Sequence, residues 1–232
     1  FIKTSRKMKN TINFKKPKVL FFDINETILD LNLLRTEINN LFGQDIFDLW
    51  FAKLLHKSLV FTITGNFESF TQIAVHTLKQ VSMVKGVNLT DDIFVKLSDT
   101  LSSLPPYPDV VNTLEILRQK GYIIVALSNS SQSLLVKQLA NAKIDHLFNE
   151  QISVELFCKY KPHKQVYQEA TKLLNKKAEE CMLIAAHDWD IFGALCSGLR
   201  AAFVKRDGID TYFLSVEPEL KVDNLFSLAE RL

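Results

Sequence analysis

Long apolar runs alternate with amphipathic segments along most of this chain. The runs that have the pattern of buried strands lie at 19–24, 122–129, 181–187 and 201–206, with a shorter candidate at 151–154. Uninterrupted apolar runs are typical of parallel strands that helices cover on both faces. Between these runs, apolar residues recur at helical spacing over 110–120, 133–142 and 164–175. The alternation predicts an α/β fold with an open parallel sheet and right-handed crossovers.

Residues 31–104 interrupt this alternation. Apolar side chains there repeat every three or four residues, as in Leu31, Leu34, Ile38 and Leu41. This period predicts an insertion of about four helices. The prolines of the segment LPPYPD indicate a stiff return to the sheet domain. The predicted units are a basic N-terminal tail, a sheet domain in two parts and a helical insertion: 1–16, 17–30 with 108–232, and 31–107.

Composition and charge exclude several classes of function. The chain has 232 residues, of which 47% are hydrophobic, so it can bury a large core. Its net charge of +2 gives no general affinity for nucleic acid, and no apolar run approaches the ~20 residues of a membrane helix. We therefore expect neither a nucleic-acid partner nor a membrane partner. The 7 glycines form no Gly-rich phosphate loop.

The three cysteines indicate a compartment rather than a site. Cys158, Cys181 and Cys196 are an odd number and lack CxxC spacing, so they predict neither a zinc site nor a disulfide framework. A reducing, cytoplasmic location fits this pattern. Since Cys181 and Cys196 lie among apolar residues, we expect both to be buried.

Polar groups stand where several predicted strands end. Asp23 ends the first apolar run, the pair 128–129 ends the second, and 187–190 follows another, while Lys161 precedes a proline in KYKP. In open α/β sheets, ligands bind at the carboxyl ends of the strands. Each group alone is more typical of a helix cap or an exposed loop. Their combination, in this order, predicts a catalytic site at that edge of the sheet.

These motifs resemble those of the haloacid dehalogenase superfamily. Asp23 matches its aspartate nucleophile, and Ser128 matches the Ser/Thr that ends its second strand. Lys161 matches the lysine before proline, and Asp190 the acid before a Gly-Ala helix start. The resemblance covers residues 17–232. It implies a Rossmann-like core with a parallel sheet and an inserted helical cap.

Within that superfamily, the L-2-haloacid dehalogenases are the branch that the chain resembles. Phosphatases of the superfamily have a second acid where Asn25 stands and a magnesium ligand where Ala185 stands. A halide is a weak base that leaves without a proton, so the dehalogenase reaction needs no acid at Asn25. The dehalogenase motifs Ser-Asn, Tyr-Lys-Pro and Trp-Asp-x-x-Gly-Ala are kept at 128–129, 160–162 and 189–194.

The resemblance implies roles for individual residues. Asp23 attacks C2 of a 2-haloacid and forms an ester, which water then hydrolyses. Lys161 keeps Asp23 ionised, and Ser128 and Asn129 hold the substrate carboxylate. Further candidates for substrate binding are Asn25, Thr27, Phe51, Leu55, Phe70 and Trp189. For Leu55, Phe70 and Trp189, packing in the core is the alternative interpretation.

Hydrolysis of the ester needs a general base. Glu26 lies three residues after Asp23, and His187 ends another strand, so the two side chains are candidates for a His–Glu pair. The alternative is that His187 caps the next helix and Glu26 pairs with a surface lysine. Asp190 is a second candidate base. One departure from the branch is Phe51, which stands where an arginine thought to assist halide departure follows a tryptophan.

The predicted function is metal-independent hydrolysis of short L-2-haloacids to D-2-hydroxy acids, with no cofactor. A small 2-haloacid is the expected partner. A homodimer is possible, but the sequence shows no pattern that indicates an interface. The alternatives are a magnesium-dependent phosphatase that uses Asp188 and Asp190, and a catalytically silent binding protein on the same fold.

Overall fold

The structure, a computed structural model, describes residues 16–209, 213 and 216–232. In this part of the chain the strands form one parallel sheet of order β3-β2-β1-β4-β5-β6. Their bounds are β1 Val19–Phe22, β2 Ile123–Ser128, β3 Glu150–Ser153, β4 Cys181–Ala185, β5 Arg200–Val204 and β6 Leu220–Val222. β1 lies at the centre of the sheet and is buried along its whole length. The predicted α/β fold with a parallel sheet is confirmed.

Helices lie between the strands and in one long insertion. The insertion, which we call the cap, contains α1 Asn32–Phe42, α2 Phe47–Ile63, α3 Phe70–Lys85 and α4 Asp91–Ser102. The remaining helices are α5 Val110–Gln119, α6 Gln132–Asn141, α7 Lys164–Leu173, α8 Asp188–Cys196 and α9 Leu225–Arg231. The predicted helical insertion between the first two strands is thus confirmed, while the exact domain boundaries stay a prediction.

Some local predictions differ from the structure. The strand β6 was missed because it has three residues, of which Lys221 is exposed, so no apolar run marks it. Cys181 is buried as expected, whereas the expectation for Cys196 was wrong and its side chain is exposed. Cys196 is the last residue of α8, on the turn where the helix meets solvent. The predicted tail over 1–16 lies almost entirely outside the described residues.

Two chain segments connect the sheet domain with the cap and pair with each other. Asp30 donates its backbone N–H to Pro105 at 2.9 Å, and Tyr107 donates to Ile28 at 3.0 Å. Leu29 forms a bridge with Pro106 between these two bonds. The predicted stiff return is therefore a paired stem, and it holds the cap above the carboxyl edge of the sheet.

A second contact between cap and sheet domain surrounds Tyr160. Its backbone N–H donates to Thr62 Oγ1 at 3.0 Å, and its hydroxyl donates to the carbonyl of Glu68. Its ring stacks on Phe67, with centroids 5.1 Å apart. Since Tyr160 directly precedes Lys161 in the chain, docking of the cap and the position of that lysine are linked.

Among the described residues, no helix has both the length and the apolar character needed to cross a membrane.

Gly193 allows α8 to pack tightly against the segment after Lys161. A Cβ at this position would lie 2.4 Å from the Cβ of Pro162 and 2.7 Å from the hydroxyl of Tyr167. We therefore expect Gly193→Ala to lower the free energy of unfolding by roughly 1–3 kcal/mol, as other overpacked core sites do. Denaturant unfolding would measure it. Cys196→Ala, at an exposed position of the same helix, is the control, and an equal effect of both variants would contradict the packing argument.

Candidate active site

Asp23 lies at the carboxyl end of β1, in the middle of the sheet. Its backbone N–H still donates to Ile184 on β4 at 3.0 Å, after which the chain leaves the sheet. Its carboxylate is nearly buried and accepts from Lys161 Nζ at 2.7 Å and from Thr27 Oγ1 at 2.8 Å. Thr27 in turn accepts from the backbone N–H of Ala186 at 3.0 Å, which holds the loop after Asp23 against the end of β4.

Lys161 places its ammonium group between two carboxylates. Nζ lies 2.7 Å from Asp23 Oδ1 and 2.7 Å from Asp190 Oδ2, and its side chain is fully buried. Asp190 accepts a further hydrogen bond from the Tyr167 hydroxyl. Asn129 Oδ1 accepts the backbone N–H of Lys161 at 3.0 Å, which fixes the start of the lysine side chain.

The charges in this cluster follow from burial and from these contacts. Burial alone would raise the pKa of Asp23, but the Lys161 ammonium and the His187 ring outweigh it and hold this pKa far below its usual range. Burial raises the pKa of Asp190, and the Lys161 ammonium only partly opposes this. Burial would lower the pKa of Lys161, yet the two carboxylates raise it. Asp23 thus stays ionised beside the Lys161 ammonium, which also donates to Asp190.

His187 and Glu26 lie on the other side of Asp23. His187 Nε2 is 2.9 Å from Glu26 Oε2, and Nδ1 is 3.3 Å from Asp23 Oδ2. Glu26 has a φ of 61°, in the left-handed region, inside a tight turn where the carbonyl of Ile24 accepts three backbone N–H groups. This turn directs the Glu26 side chain toward His187 instead of away from the sheet.

The contacts of His187 and Glu26 differ from the two alternatives, a helix cap for His187 and an ion pair with a surface lysine for Glu26. The His187 side chain makes no capping hydrogen bond to α8 in the described part of the chain. Glu26 pairs with the histidine and with Arg35 of the cap, whose Nη2 lies 3.5 Å from Glu26 Oε1, and no lysine within residues 16–209 and 216–232 pairs with it.

The pKa of His187 lies well above the value near 6.5 of a free imidazole. Burial by itself would lower this pKa, but the hydrogen bonds to Asp23 and Glu26 outweigh it and raise the pKa to about 10. An imidazole between two carboxylates is stabilised as the cation. With Asp23 ionised, His187 therefore carries a proton on each ring nitrogen at neutral pH.

Several site residues have no signal in the sequence. Tyr167 lies on an amphipathic helix, where its spacing is that of a core residue. Arg35 lies in the cap and reaches Glu26 only because of how the cap is placed. Arg206 donates Nε and Nη2 to the carbonyl of Thr27 at 3.1 and 2.8 Å and pairs with Asp109 at 2.8 Å. It thereby supports the loop behind the nucleophile.

The predicted carboxylate-binding residues lie beside Asp23. Ser128 is buried at the end of β2, where its Oγ accepts from the backbone N–H of Ser130 at 3.1 Å, and its own hydroxyl proton remains able to donate. Asn129 uses its carbonyl oxygen on Lys161, which directs its NH₂ group elsewhere. Asn25 donates to Ser130 Oγ at 3.1 Å and accepts from Gln138 Nε2 at 3.2 Å. Its amide is therefore fixed in place.

An apolar cavity of about 310 Å³ lies between the cap and the sheet domain. Of the predicted wall residues, Phe51 and Phe70 line it, as does Asn25, whereas Asp23 itself does not. Leu55 is not among the residues that line this cavity, and its place in the wall around the carbon–halogen bond stays a prediction. Leu55 falls on the flank of the α2 face that carries Trp50, Phe51 and Leu54, and it is half-buried against the core.

Trp189 contacts the catalytic histidine candidate and not the cavity. Its ring stacks on the His187 ring, with centroids 5.2 Å apart. The centroid of the Phe51 ring also lies near His187, at 6.4 Å. The two aromatic rings therefore shield the imidazole from solvent.

Among the described residues, no group of His, Cys, Asp and Glu side chains is arranged to hold a metal ion. Asp188, one of the two acids considered as a magnesium ligand, accepts the backbone N–H of Trp189 at 2.7 Å at the start of α8. Asp190, the other, is fully buried behind Lys161.

Comparison with known proteins identifies what this arrangement is similar to. The sequence model of the haloacid dehalogenase-like hydrolases matches residues 17–198. An (S)-2-haloacid dehalogenase of Pseudomonas fluorescens is 26% identical over 91% of this chain and 94% of that protein. (S)-2-haloacid dehalogenase 1 of Pseudomonas sp. (strain CBS-3) is 28% identical over 80% of this chain and 83% of that protein.

A solved structure shares the fold at lower identity. The L-2-haloacid dehalogenase from Xanthobacter autotrophicus, with chloropropionic acid covalently bound, superposes with a TM-score of 0.83 at 21% identity. The match covers 92% of this chain and 97% of that one. These matches confirm the resemblance that the sequence motifs indicated, and they leave the role of each site residue to be argued from its geometry.

The position of His187 between two carboxylates makes stability depend on pH. Because its pKa is raised from 6.5 to about 10, its contribution is complete below pH 6.5 and is lost as the pH rises to about 10. We expect the free energy of unfolding to fall across this range by an amount on the order of a few kcal/mol. His187→Gln, which cannot titrate, should flatten this part of the curve. Denaturant unfolding at stepped pH would test it, and an equal slope in both proteins would contradict the assignment.

Proposed function

This chain belongs to the haloacid dehalogenase-like hydrolase family, and we propose that it hydrolyses the carbon–halogen bond of L-2-haloacids to give D-2-hydroxy acids. The observation that carries the proposal is Asp23, an anionic carboxylate held by Lys161 at 2.7 Å at the end of β1. Its relatives named (S)-2-haloacid dehalogenases support this reaction class.

The first step is nucleophilic attack by Asp23. Its carboxylate oxygen attacks C2 of the substrate from the face opposite the halogen, so a C–O bond forms as the C–halogen bond breaks. The halide leaves with the bonding electron pair and needs no proton. Asn25 therefore suits this reaction, because its amide is held by Ser130 and Gln138 and supplies no carboxylic acid.

The substrate carboxylate binds beside the second strand. The Ser128 hydroxyl and the Asn129 amide are hydrogen-bond donors at the end of β2, next to β1, and both side chains are nearly buried. With the carboxylate held there and C2 at Asp23, only one enantiomer presents its halogen on the far side. Attack from behind then inverts C2, which gives the D-hydroxy acid from the L-haloacid.

The second step uses His187, whose charge depends on Asp23. Esterification removes the negative charge of Asp23, one of the two interactions that raise the pKa of His187, so this pKa falls. The imidazolium then releases a proton, which with the departed halide accounts for the acid that the reaction produces. The neutral ring can now accept a proton from water.

Water attacks the carbonyl carbon of the Asp23 ester while His187 takes its proton. The tetrahedral intermediate collapses, the C–O bond to Asp23 Cγ breaks, and the alkoxide takes the proton back from His187. The new Asp23 carboxylic acid gives its own proton to the ring, which restores the carboxylate–imidazolium pair. Glu26, 2.9 Å from Nε2, orients the ring throughout.

A phosphatase is the alternative reaction on this fold, and two features disfavour it. Asn25 cannot protonate a leaving alcohol. The space between Asp23 and Asp190 contains the Lys161 ammonium, within 2.7 Å of each carboxylate. Asp23 beside Lys161 also argues against a silent binding protein, since a buried charge cluster is costly to maintain.

The function is tested by comparing products from different substrates. We expect halide from L-2-bromopropionate and none from the D enantiomer, with rates unchanged by EDTA because Lys161 supplies the positive charge at Asp23. Asp23→Asn should abolish halide release. Phosphate release from p-nitrophenyl phosphate that EDTA stops and magnesium restores, without halide release, would replace the dehalogenase by the phosphatase.

The two steps can be separated with His187→Ala. This variant should still form the ester and release about one halide per active site, and then stall, because the base for hydrolysis is lost. Steady turnover should fall by roughly 10²–10⁴-fold, the usual contribution of a general base. Halide burst kinetics and intact-protein mass spectrometry after addition of 2-bromopropionate would record the stall.

Glu26→Gln is the matched variant that tests the pair of His187 and Glu26. It should give a weaker stall, because the ring stays but loses the charge that orients it, and the double variant should be little worse than His187→Ala. If His187→Ala showed neither a burst nor an adduct, His187 would act before ester formation or in structure alone, and Asp190 would be the remaining candidate base.

A further inference from the structure

The apolar cavity beneath the cap has more room than a short 2-haloacid requires. Its volume is about 310 Å³. A water molecule occupies ~30 Å³ of liquid and a methylene group is of similar size, so the space accommodates roughly ten such groups. The alkyl part of 2-bromopropionate beyond its reacting carbon is one methyl group. The cavity would be almost empty with such a substrate bound.

The cavity begins next to the reacting groups. Asn25, two residues after Asp23, lines it, and so does Ser130, two residues after Ser128. Phe51 lines it as well, and its ring faces His187 at 6.4 Å. Asn25 and Phe51 thus lie between this space and the Asp23–His187 site, and a chain attached to C2 of a substrate held at Asp23 would enter the cavity past these two side chains.

The walls fit an aliphatic chain. Buried side chains from all four cap helices supply apolar surface, among them Leu34, Leu78 and Leu97. Trp50, another wall residue, donates its indole N–H to the carbonyl of Ala74 at 3.1 Å, so this polar group is already bonded. Pockets that bind organic ligands are lined in this way, by apolar side chains with a few fixed polar groups.

One side of the cavity is open to solvent. Lys137 of α6 lines it there and pairs at 4.0 Å with Asp99 of α4, and both side chains are more than half exposed. A long chain can therefore extend toward this opening while its first carbons stay buried.

We propose that this cavity receives the alkyl chain of the substrate, so that the preferred substrates are unbranched 2-haloalkanoic acids of about six to eight carbons. This deepens the proposed function and rests on it. It also revises the expectation of short acids, which had been taken from the motifs around Asp23 and not from the cap.

Chain length should affect binding and not the chemical step. Each CH₂ group transferred from water to an apolar site favours binding by about fourfold. This interaction is equal in the ground state and the transition state, so kcat/KM should rise while kcat changes little. 2-Bromohexanoate has three more CH₂ groups than 2-bromopropionate, so we expect kcat/KM to increase by up to roughly 60-fold.

The experiment measures halide release from 2-bromopropionate, 2-bromohexanoate and 2-bromooctanoate with the whole chain. Val75→Phe would fill the cavity from α3, where Val75 lines it and is only half-buried. It should remove the gain for the long acids and spare 2-bromopropionate. Val95→Phe, the same change at an exposed cap position outside the cavity lining, should leave the series unchanged. If Val75→Phe does not fold, Ser98→Phe replaces it in the test. Ser98 lines the cavity at an exposed position, so a phenylalanine there narrows the opening.

Each outcome decides one of the two proposals. Halide release from 2-bromopropionate with a flat or falling chain-length series would overturn the alkyl-chain assignment and leave the dehalogenase function standing. No halide from any acid would overturn the proposed function. Octanoate, which carries no halogen, then tests the cavity alone. It should raise the midpoint of thermal unfolding in the natural sequence and in Val95→Phe but not in Val75→Phe, and no shift in any of them would overturn the cavity assignment.

Discussion

The ammonium group of Lys161 lies between the carboxylates of Asp23 and Asp190, and the other groups of the site are arranged around this contact. A buried lysine is stable only if opposite charges and hydrogen bonds replace its water. Asp23 and Asp190 supply the charges at 2.7 Å each, and Asn129 fixes the backbone of the lysine. Tyr167 completes the cluster by donating to Asp190. The same contact keeps Asp23 ionised inside an apolar sheet, which is what a nucleophilic carboxylate requires.

The charge on Asp23 also determines what His187 can do. As long as Asp23 is an anion, the ring is held as a cation between two carboxylates and cannot accept a proton. In the proposed mechanism, ester formation removes one of these charges, so the ring can act as a base only once the ester has formed. Electrostatics at the site would then set the order of the two steps. Glu26 keeps the ring in place in both states, and Arg35 of the cap contacts Glu26 from outside.

Most of the fold and the centre of the site could be predicted from local patterns. β1, β2, β4 and β5 are almost entirely buried and form continuous apolar runs, so their positions and their ends are visible in the sequence, whereas their order in the sheet is not. Asp23 and Lys161 belong to motifs next to those ends. By contrast, β6 has an exposed Lys221 and only three residues, and no local pattern distinguishes it from a loop.

Features that depend on the position of the cap could not be predicted. Arg35 meets Glu26, and Phe51 faces His187, because the paired stem and Tyr160 hold the cap over the sheet. The same placement determines that Leu55 packs away from the cavity. The spacing of apolar residues shows which face of a helix is apolar, but it does not show which other element packs against that face. The raised pKa of His187 has a different origin, since its two carboxylate partners lie on the loop after β1 and not in the cap.

Single-turnover hydrolysis in heavy-oxygen water, with enzyme in excess over 2-bromopropionate, tests the central claim that Asp23 forms the ester. In this mechanism the hydroxyl oxygen of the product comes from Asp23, and the oxygen of water enters the Asp23 carboxylate. The account predicts unlabelled 2-hydroxypropionate and one heavy oxygen in the peptide that contains Asp23. Label in the product of the first turnover, with none in that peptide, would mean that water attacks C2 directly and would contradict it.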